Sequence, residues 1–390
     1  MDIQADKLVL YGKEESSWNL LWLRDNCRCP HCWYTETAQR QLNTLRLISS
    51  PELYSPRSAH IEDHALVVSW LDGHRSIFSL GWLRAHAQKA RYPLAKLQWR
   101  GPTFSQHGEP LPELALKEVQ EQGSAGVDRW LTLLQKYGFV IIDGVEPEVG
   151  AMRAVVESIG PLFDSMFGDV WDISQIEAGG EWEAEHRDTA YSNGPIGPHT
   201  DGCYSWAPPG VQFFQIATTA RVGGANYLVD GFQVASALKQ QSPEAYELLA
   251  RTPISYHYDD STQGNHLKAT HPVFSHDENG DLMRFHFNDS DRLPFACPPD
   301  QMASFYRAYG LLLGLLNDPV NRVTLQLRPD QLLASDNWRV LHARESFSGT
   351  RRLMGAYLER DTYSRRLLAS KSKLPRVTSK RLCTHTCDSF

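Results

Sequence analysis

The sequence predicts a mainly β chain with helices: a small β-rich module, then a larger β-sandwich core braced by a few long helices. Three observations carry this reading. Short apolar runs bounded by turn residues recur along the chain, as strands do. A few longer segments place apolar residues at helical spacing. Between about 96 and 125, Gly101-Pro102 and Gly108-Glu109-Pro110-Leu111-Pro112 interrupt both patterns and predict a connector. The 390 residues allow two or three domains with ample chain to bury a core.

In the first unit, residues 1–95, Leu8-Val9-Leu10-Tyr11 and Ala65–Trp70 read as strands. The turn Leu71-Asp72-Gly73-His74 follows, Ser76-Ile77-Phe78 resumes extended structure, and Leu80-Gly81-Trp82-Leu83-Arg84 starts a short helix. The second unit, 126–370, opens with a helix over 127–137 carrying Trp130, Leu131, Leu133 and Leu134. Phe139-Val140-Ile141-Ile142-Asp143 is a strand between two glycines, and 149–159 is helical. Strands are predicted at 211–216 and 226–230, and one helix over 232–249 with Ala235, Leu238 and Tyr246. A strand at 283–287, an apolar helix over 301–317, and strands at 324–327 and 339–342 complete it. Residues 371–390 are basic and weakly apolar and read as a mobile tail.

Charge and composition exclude several classes. A net charge of -7 argues against a nucleic-acid partner, which needs a basic surface. No apolar run approaches a membrane span. Met1-Asp2-Ile3-Gln4-Ala5-Asp6 has neither a basic n-region nor an apolar h-region, so a cytoplasmic location is expected. Three of the seven cysteines fall within six positions, the spacing of a metal site rather than of a disulfide framework.

His199 and Asp201 are two apart, and on a strand or extended turn such a pair points to one side. His342 is the best third ligand from a distant strand. Two histidines and one carboxylate form the facial triad that holds Fe(II) and leaves three coordination positions open. The approach from Ala190 to Pro198 is punctuated by glycine and proline. Asp336-Asn337-Trp338-Arg339-Val340-Leu341-His342 looks like a buried strand ending on a ligand. Any one of fifteen histidines is more often a core or turn residue, but this order and context favour a site. Arg351 and Arg352 follow on what looks like the neighbouring strand. A fixed guanidinium fork inside a barrel needs an anionic partner, which a dicarboxylate supplies.

Cys27, Cys29 and Cys32 suit tetrahedral zinc and need a fourth ligand. His31 lies inside the motif, where chelation strains the chain; His74, in the 71–74 turn, is the preferred candidate. With four protein ligands the site is closed and structural. Cys383 and Cys387 flank His385 in the tail and read as accidental neighbours, and Cys203 and Cys297 as ordinary cysteines.

From about Leu131 to Leu368 the chain resembles the Fe(II)/2-oxoglutarate-dependent dioxygenases of the TauD type, and within them the carnitine-biosynthesis branch. The matching motifs are Asp188-Thr189-Ala190-Tyr191, Gly197-Pro198-His199-Thr200-Asp201, Pro208-Pro209-Gly210-Val211-Gln212, Gly223-Gly224 with Val229-Asp230-Gly231-Phe232, and 336–347 through Gly355-Ala356-Tyr357. The resemblance implies a double-stranded β-helix, or jelly-roll, with His199, Asp201 and His342 on iron. It also implies Arg351 on the distal carboxylate of 2-oxoglutarate, with Arg352 the adjacent alternative. Strand alternation lets only one of the two point inward. The branch carries a similar N-terminal zinc module with a histidine in the matching turn, which extends the resemblance over nearly the whole chain.

The resemblance further implies a trimethylammonium substrate held by aromatic faces, here Phe167, Trp171, Tyr191 and Tyr357. Phe167 departs from a tyrosine common in the γ-butyrobetaine branch, and Gly202 replaces another aromatic, with Tyr204 or Trp206 as compensation. Asp188 attracts the α-ammonium of trimethyllysine and repels the carboxylate of γ-butyrobetaine, which ranks trimethyllysine first. The segment 174–187, rich in Glu and Gly, departs from both enzymes at the pocket mouth. The expected reaction is hydroxylation of this small molecule, with succinate and CO2 formed, stimulated by ascorbate, in a homodimer. A non-enzymatic metal-binding protein of the same fold is the competing class, and γ-butyrobetaine hydroxylation the competing activity.

Overall fold

The structure, a computed structural model, describes residues 1–11, 16–87, 96–104, 108–175, 188–261, 263–294 and 298–371. Two compact units lie within Met1–Pro93 and within Leu94–Leu374. In the first, Asp2–Gln4, Lys7–Leu10 and Ser16–Asn19 form one three-stranded sheet; Pro56–Glu62, Ala65–Trp70 and Arg75–Ser79 form another. Leu8, Leu10, Trp18, Leu23, Leu66, Val68, Trp70 and Phe78 close a common core between them. The helix Leu80–Ala87 starts where the sequence predicts, and the short helices Leu20–Asp25 and Thr44–Ser49 were not foreseen.

The second unit is a double-stranded β-helix. Its major sheet runs Val170–Gln175, Arg351–Leu358, Val211–Thr218, Gln331–Asp336, Phe139–Asp143, Glu113–Ala115, antiparallel except for the last pair. Its minor sheet runs Ile196–His199, Val340–Arg344, Asn226–Asp230, Arg322–Leu325, antiparallel throughout. Strand alternation sorts side chains into two faces. Phe139, Ile141, Trp171, Phe214, Leu333 and Tyr357 face inward and meet Leu228, Val323 and Val340 of the minor sheet. Val140, Ile142, Phe213, Ala334, Met354 and Ala356 face outward, under the helices Ser124–Tyr137 and Val149–Glu157. Tyr227, Val229, Leu341 and Ala343 face outward from the minor sheet, under Gly231–Gln241, Pro243–Arg251 and Pro299–Asn317.

Three expectations change. The 96–125 stretch is part of the second unit rather than a connector: Trp99 is buried, Glu113–Ala115 joins the major sheet, and Leu116–Glu121 is helical. The helix expected over 232–249 breaks at Ser242-Pro243. Proline cannot donate inside a helix, and Ser242 restarts the chain by accepting from the Ala245 N–H at 3.3 Å. The 336–342 stretch is not a strand ending on a ligand. Asp336 closes a turn, with its Oδ1 3.0 Å from the Trp338 N–H, and His342 sits mid-strand in Val340–Arg344. The tail 372–390 and most of the 174–187 segment lie outside the described residues. Among the described residues no helix is long and apolar enough to cross a membrane.

One buried ion pair ties the second unit together. Asp230 and Arg339 are 0% and 1% exposed, with Nη2 2.8 Å from Oδ2 and Nε 3.1 Å from Oδ1. Asp230 also caps Gly231–Gln241 by accepting from the Phe232 N–H at 3.0 Å, and accepts from the Trp99 N–H at 3.1 Å. Arg339 donates onward to the carbonyls of Lys136, at 3.0 Å, and of Leu97. Removing one partner strands a buried charge, a loss of about 3–5 kcal/mol. Asp230→Ala is therefore expected to lower the unfolding free energy of the second unit by that amount in equilibrium denaturant unfolding, and its midpoint accordingly. A midpoint equal to that of the unaltered chain would show that the pair contributes nothing.

Candidate active site and metal centres

The minor sheet brings the first two candidate ligands together. Ile196–His199 pairs with Val340–Arg344 so that His199 lies directly across from His342. Cross-strand partners share a face, and the two imidazole centroids stand 4.2 Å apart. Val340 and His342 face inward while Leu341 and Ala343 pack under the helices, so alternation aims His342 into the cavity. Asp201 follows in the turn after the Ile196–His199 strand. Its Oδ1 is 3.4 Å from His199 Nε2 and 3.3 Å from His342 Nε2.

Two of the donors, His199 and Asp201, are held in a metal-binding state. His199 Nδ1 lies 2.9 Å from the Gly197 carbonyl, which places the ring proton on Nδ1 and leaves the Nε2 lone pair free. The Tyr357 hydroxyl donates to Asp201 Oδ2 at 2.9 Å, and the Gln212 amide donates to the same oxygen. Oδ1 is left facing the imidazoles. Asn337 grips the Asp201 backbone on both sides, accepting from its N–H at 2.8 Å and donating to its carbonyl at 3.0 Å. Burial pushes the Asp201 carboxyl up, but His342 and His199 outweigh it and hold the group well below the usual carboxylate range. An ionised oxygen and two imidazole nitrogens clustered within 4.8 Å form the donor set of a divalent metal. The residues present fit iron.

All the site residues read from the sequence in this unit line one cavity: Phe167, Trp171, Asp188, Tyr191, His199, Asp201, His342, Arg351 and Tyr357. The two neighbouring arginines separate cleanly. Arg351 is 1% exposed and faces the cavity, with Nη2 3.2 Å from Asn226 Oδ1. Burial pushes its guanidinium down to about 10, so a bound anion would favour its charged form. Arg352 points outward to Asp172, with Nε 3.0 Å from Oδ1.

The aromatic wall depends on a missing side chain. Trp171 lies across the sheet from Gly355, and a Cβ at Gly355 would meet the indole at 2.0 Å. The Trp171 and Tyr357 centroids are 6.0 Å apart. Tyr204 lines the cavity, whereas Trp206 is 76% exposed and lines a separate surface groove. Gly202 holds φ +71°, and a Cβ there would meet Pro209 Cδ at 2.8 Å, so an aromatic at this position would be strained. Asp188 turns the Thr189–Tyr191 segment by accepting from the Ala190 N–H at 2.7 Å.

Several residues with a part in the site were not singled out from the sequence. Arg344, two residues after His342, donates to the carbonyls of Ser192 and Gly194 at 2.7 Å each and of Ala190 at 3.3 Å. It thereby shapes the loop that presents Asp188 and Tyr191. Gln212 and Asn337 support Asp201, and Asp291 lines the cavity. The Asp-Asn pair at 336–337 is a turn signal that pointed to Asn337; nothing local marks the others.

In the first unit, Cys27, Cys29 and Cys32 place their sulfurs 3.3, 3.6 and 3.7 Å from His74 Nε2. Tetrahedral zinc with its usual bond lengths spaces sulfur and nitrogen about 3.5 Å apart. The four donors therefore fit zinc, and exposed His31 stands outside the cluster. Arg24 donates to Cys32 Sγ at 3.1 Å, and Asp72 accepts from the His74 N–H at 2.9 Å.

A His-Asp-His donor set at the inner face of a double-stranded β-helix is the arrangement of facial-triad, non-haem iron oxygenases. Residues 100–357 match the family model described as taurine catabolism dioxygenase TauD, TfdA family, and residues 8–84 match the γ-butyrobetaine hydroxylase-like N-terminal model. The chain belongs to the TauD, TfdA family of dioxygenases. It is 32% identical to the trimethyllysine dioxygenase of Meyerozyma guilliermondii over 91% of each chain. Identity to the mitochondrial trimethyllysine dioxygenase of Bos taurus is 31%, over 90% of this chain and 82% of that one. The γ-butyrobetaine dioxygenase of Pseudomonas sp. strain AK-1 is 32% identical over 90% of each.

Gly355→Ala is expected to drive the Trp171 ring off the pocket wall, because the ring and not the strand must give. The overpacking should cost about 1–3 kcal/mol in denaturant titration and alter the near-ultraviolet circular dichroism of the tryptophans. An unchanged spectrum would show that the wall accommodates the methyl.

Proposed function

We propose that this chain hydroxylates a trimethylammonium-bearing small molecule, trimethyllysine first, with 2-oxoglutarate as cosubstrate and iron held by His199, Asp201 and His342. The observation that carries it is convergence: the triad, the buried Arg351, the aromatic wall and Asp188 face one cavity. Bound there, ferrous iron would supply dioxygen activation coupled to the oxidative decarboxylation of 2-oxoglutarate to succinate and carbon dioxide. The protein supplies the rest. Arg351 binds the distal carboxylate of 2-oxoglutarate and fixes its orientation. Tyr357 and Gln212 hold Asp201 so that one oxygen stays aimed at the metal. Phe167, Trp171, Tyr191 and the Tyr357 ring offer faces to a cation that has no N–H to donate. The apolar inner faces of the sheets limit water around the reacting carbon.

Asp188 favours trimethyllysine, whose α-ammonium it attracts. γ-Butyrobetaine is the second reading, favoured by the 32% identity to the Pseudomonas enzyme. A panel of both substrates with Fe(II), 2-oxoglutarate and ascorbate decides between them, read as succinate formed and product mass. Efficient turnover of γ-butyrobetaine with none of trimethyllysine would reverse the ranking. Absence of succinate with every substrate would favour a non-enzymatic role. The cytoplasmic location and the homodimer belong to the same proposal, to be read by fractionation and sedimentation; the Bos taurus relative is named mitochondrial.

Arg351→Ala is expected to raise the KM for 2-oxoglutarate at least about tenfold, since a charge-assisted pair contributes roughly 1.5–3 kcal/mol. Arg352→Ala, on the outer face, should leave that KM within about twofold, and the reverse pattern would exchange their roles. We further propose structural zinc on Cys27, Cys29, Cys32 and His74. Metal analysis of Cys29→Ser should show zinc lost while iron binding persists; unchanged zinc would refute the site.

A further inference from the structure

Asp291 enters the active cavity from the loop that follows the strand Leu282–Phe285. The loop is a built feature. The Asn288 amide donates to Asp291 Oδ2 at 2.7 Å, and the Asp291 carbonyl accepts from the His257 N–H at 2.9 Å. One residue on, Arg292 bridges to Tyr256 of the Ile254–Asp260 strand. The Asp291 side chain is thus fixed with one oxygen engaged.

Asp188 lines the same cavity. Burial, and then the charge of Asp188, push the Asp291 carboxyl up to about 7. Both carboxylates act on the same two phenols, Tyr204 and Tyr258. The ring of Tyr258 packs edge-on against Phe167 at 5.7 Å and tilted against Tyr204 at 5.2 Å, behind the cavity wall. Two carboxylates lining one cavity favour a ligand cation that donates hydrogen bonds. A quaternary ammonium has no N–H to donate. A primary ammonium has three, enough to reach both.

We infer that Asp291 is a specificity-determining residue which, with Asp188, receives a primary ammonium of the substrate, while the trimethylammonium lies on the aromatic wall. This rests on the reading of trimethyllysine as substrate and adds what selects it: a molecule carrying both a quaternary and a primary ammonium. γ-Butyrobetaine lacks the second.

The test compares kcat/KM for trimethyllysine with that for 6-(trimethylammonio)hexanoate, which has the same skeleton without the α-amine. The holoenzyme is assayed with saturating 2-oxoglutarate, as the unaltered chain and as Asp291→Asn. The preference for trimethyllysine should fall about tenfold or more in Asp291→Asn, through KM, because a charge-assisted hydrogen bond is lost. Loss of folded protein lowers both substrates together and does not move the ratio. A ratio unchanged within twofold in Asp291→Asn, with the unaltered enzyme preferring trimethyllysine, overturns this inference alone. An unaltered enzyme that prefers the des-amino compound overturns the substrate reading and the inference with it.

Discussion

The buried pair of Asp230 and Arg339 is the constraint on which the site geometry depends. Asp230 ends the strand Asn226–Asp230, which hydrogen-bonds directly to the strand bearing His342. Arg339 stands three residues before His342, in the turn that enters that strand. A shift at this joint would carry His342 out of line with His199. The space is full: a Cβ on Gly231 would meet the Arg339 carbonyl at 2.6 Å. Charge, cap and close approach all specify one register, and a one-residue slip would turn His342 from the cavity to the helices.

Part of the fold was legible in the sequence and part was not. Strands such as Val211–Thr218 and Asn226–Asp230 announce themselves because they are apolar on both faces, with core on each side. Glu113–Ala115 is hidden because three residues beside Pro110 and Pro112 have no period to read. Its place comes from parallel pairing with Phe139–Asp143, a tertiary fact. The 336–342 stretch misled because its apolar character is that of a buried turn. Pro243 was a local signal, overridden in the reading by an apolar pattern that ran past it on both sides.

The site shows the same division. His-x-Asp and a distant histidine are legible because metal chemistry restricts residue type and spacing. Arg351 and Arg352 are indistinguishable as letters; burial against the cavity and the outward pairing with Asp172 separate them. Arg344 stayed hidden because its partners are three backbone carbonyls, which leave no trace in residue identity. Asp291 stayed hidden because a lone aspartate in a polar loop reads as solvated until the fold folds that loop inward.

The donors of the triad belong to different mechanical parts. The two imidazoles ride on the minor sheet, whereas Asp201 is moored by Gln212 and Tyr357, which stand on adjacent strands of the major sheet. A cation seated among them acts as a rivet through both layers of the sandwich. Its binding energy then opposes separation of the sheets and adds to the stability of the native state by mass action. Occupancy of the iron site and rigidity of the barrel would then be a single linked quantity, and a chain starved of metal would lose cohesion as well as chemistry.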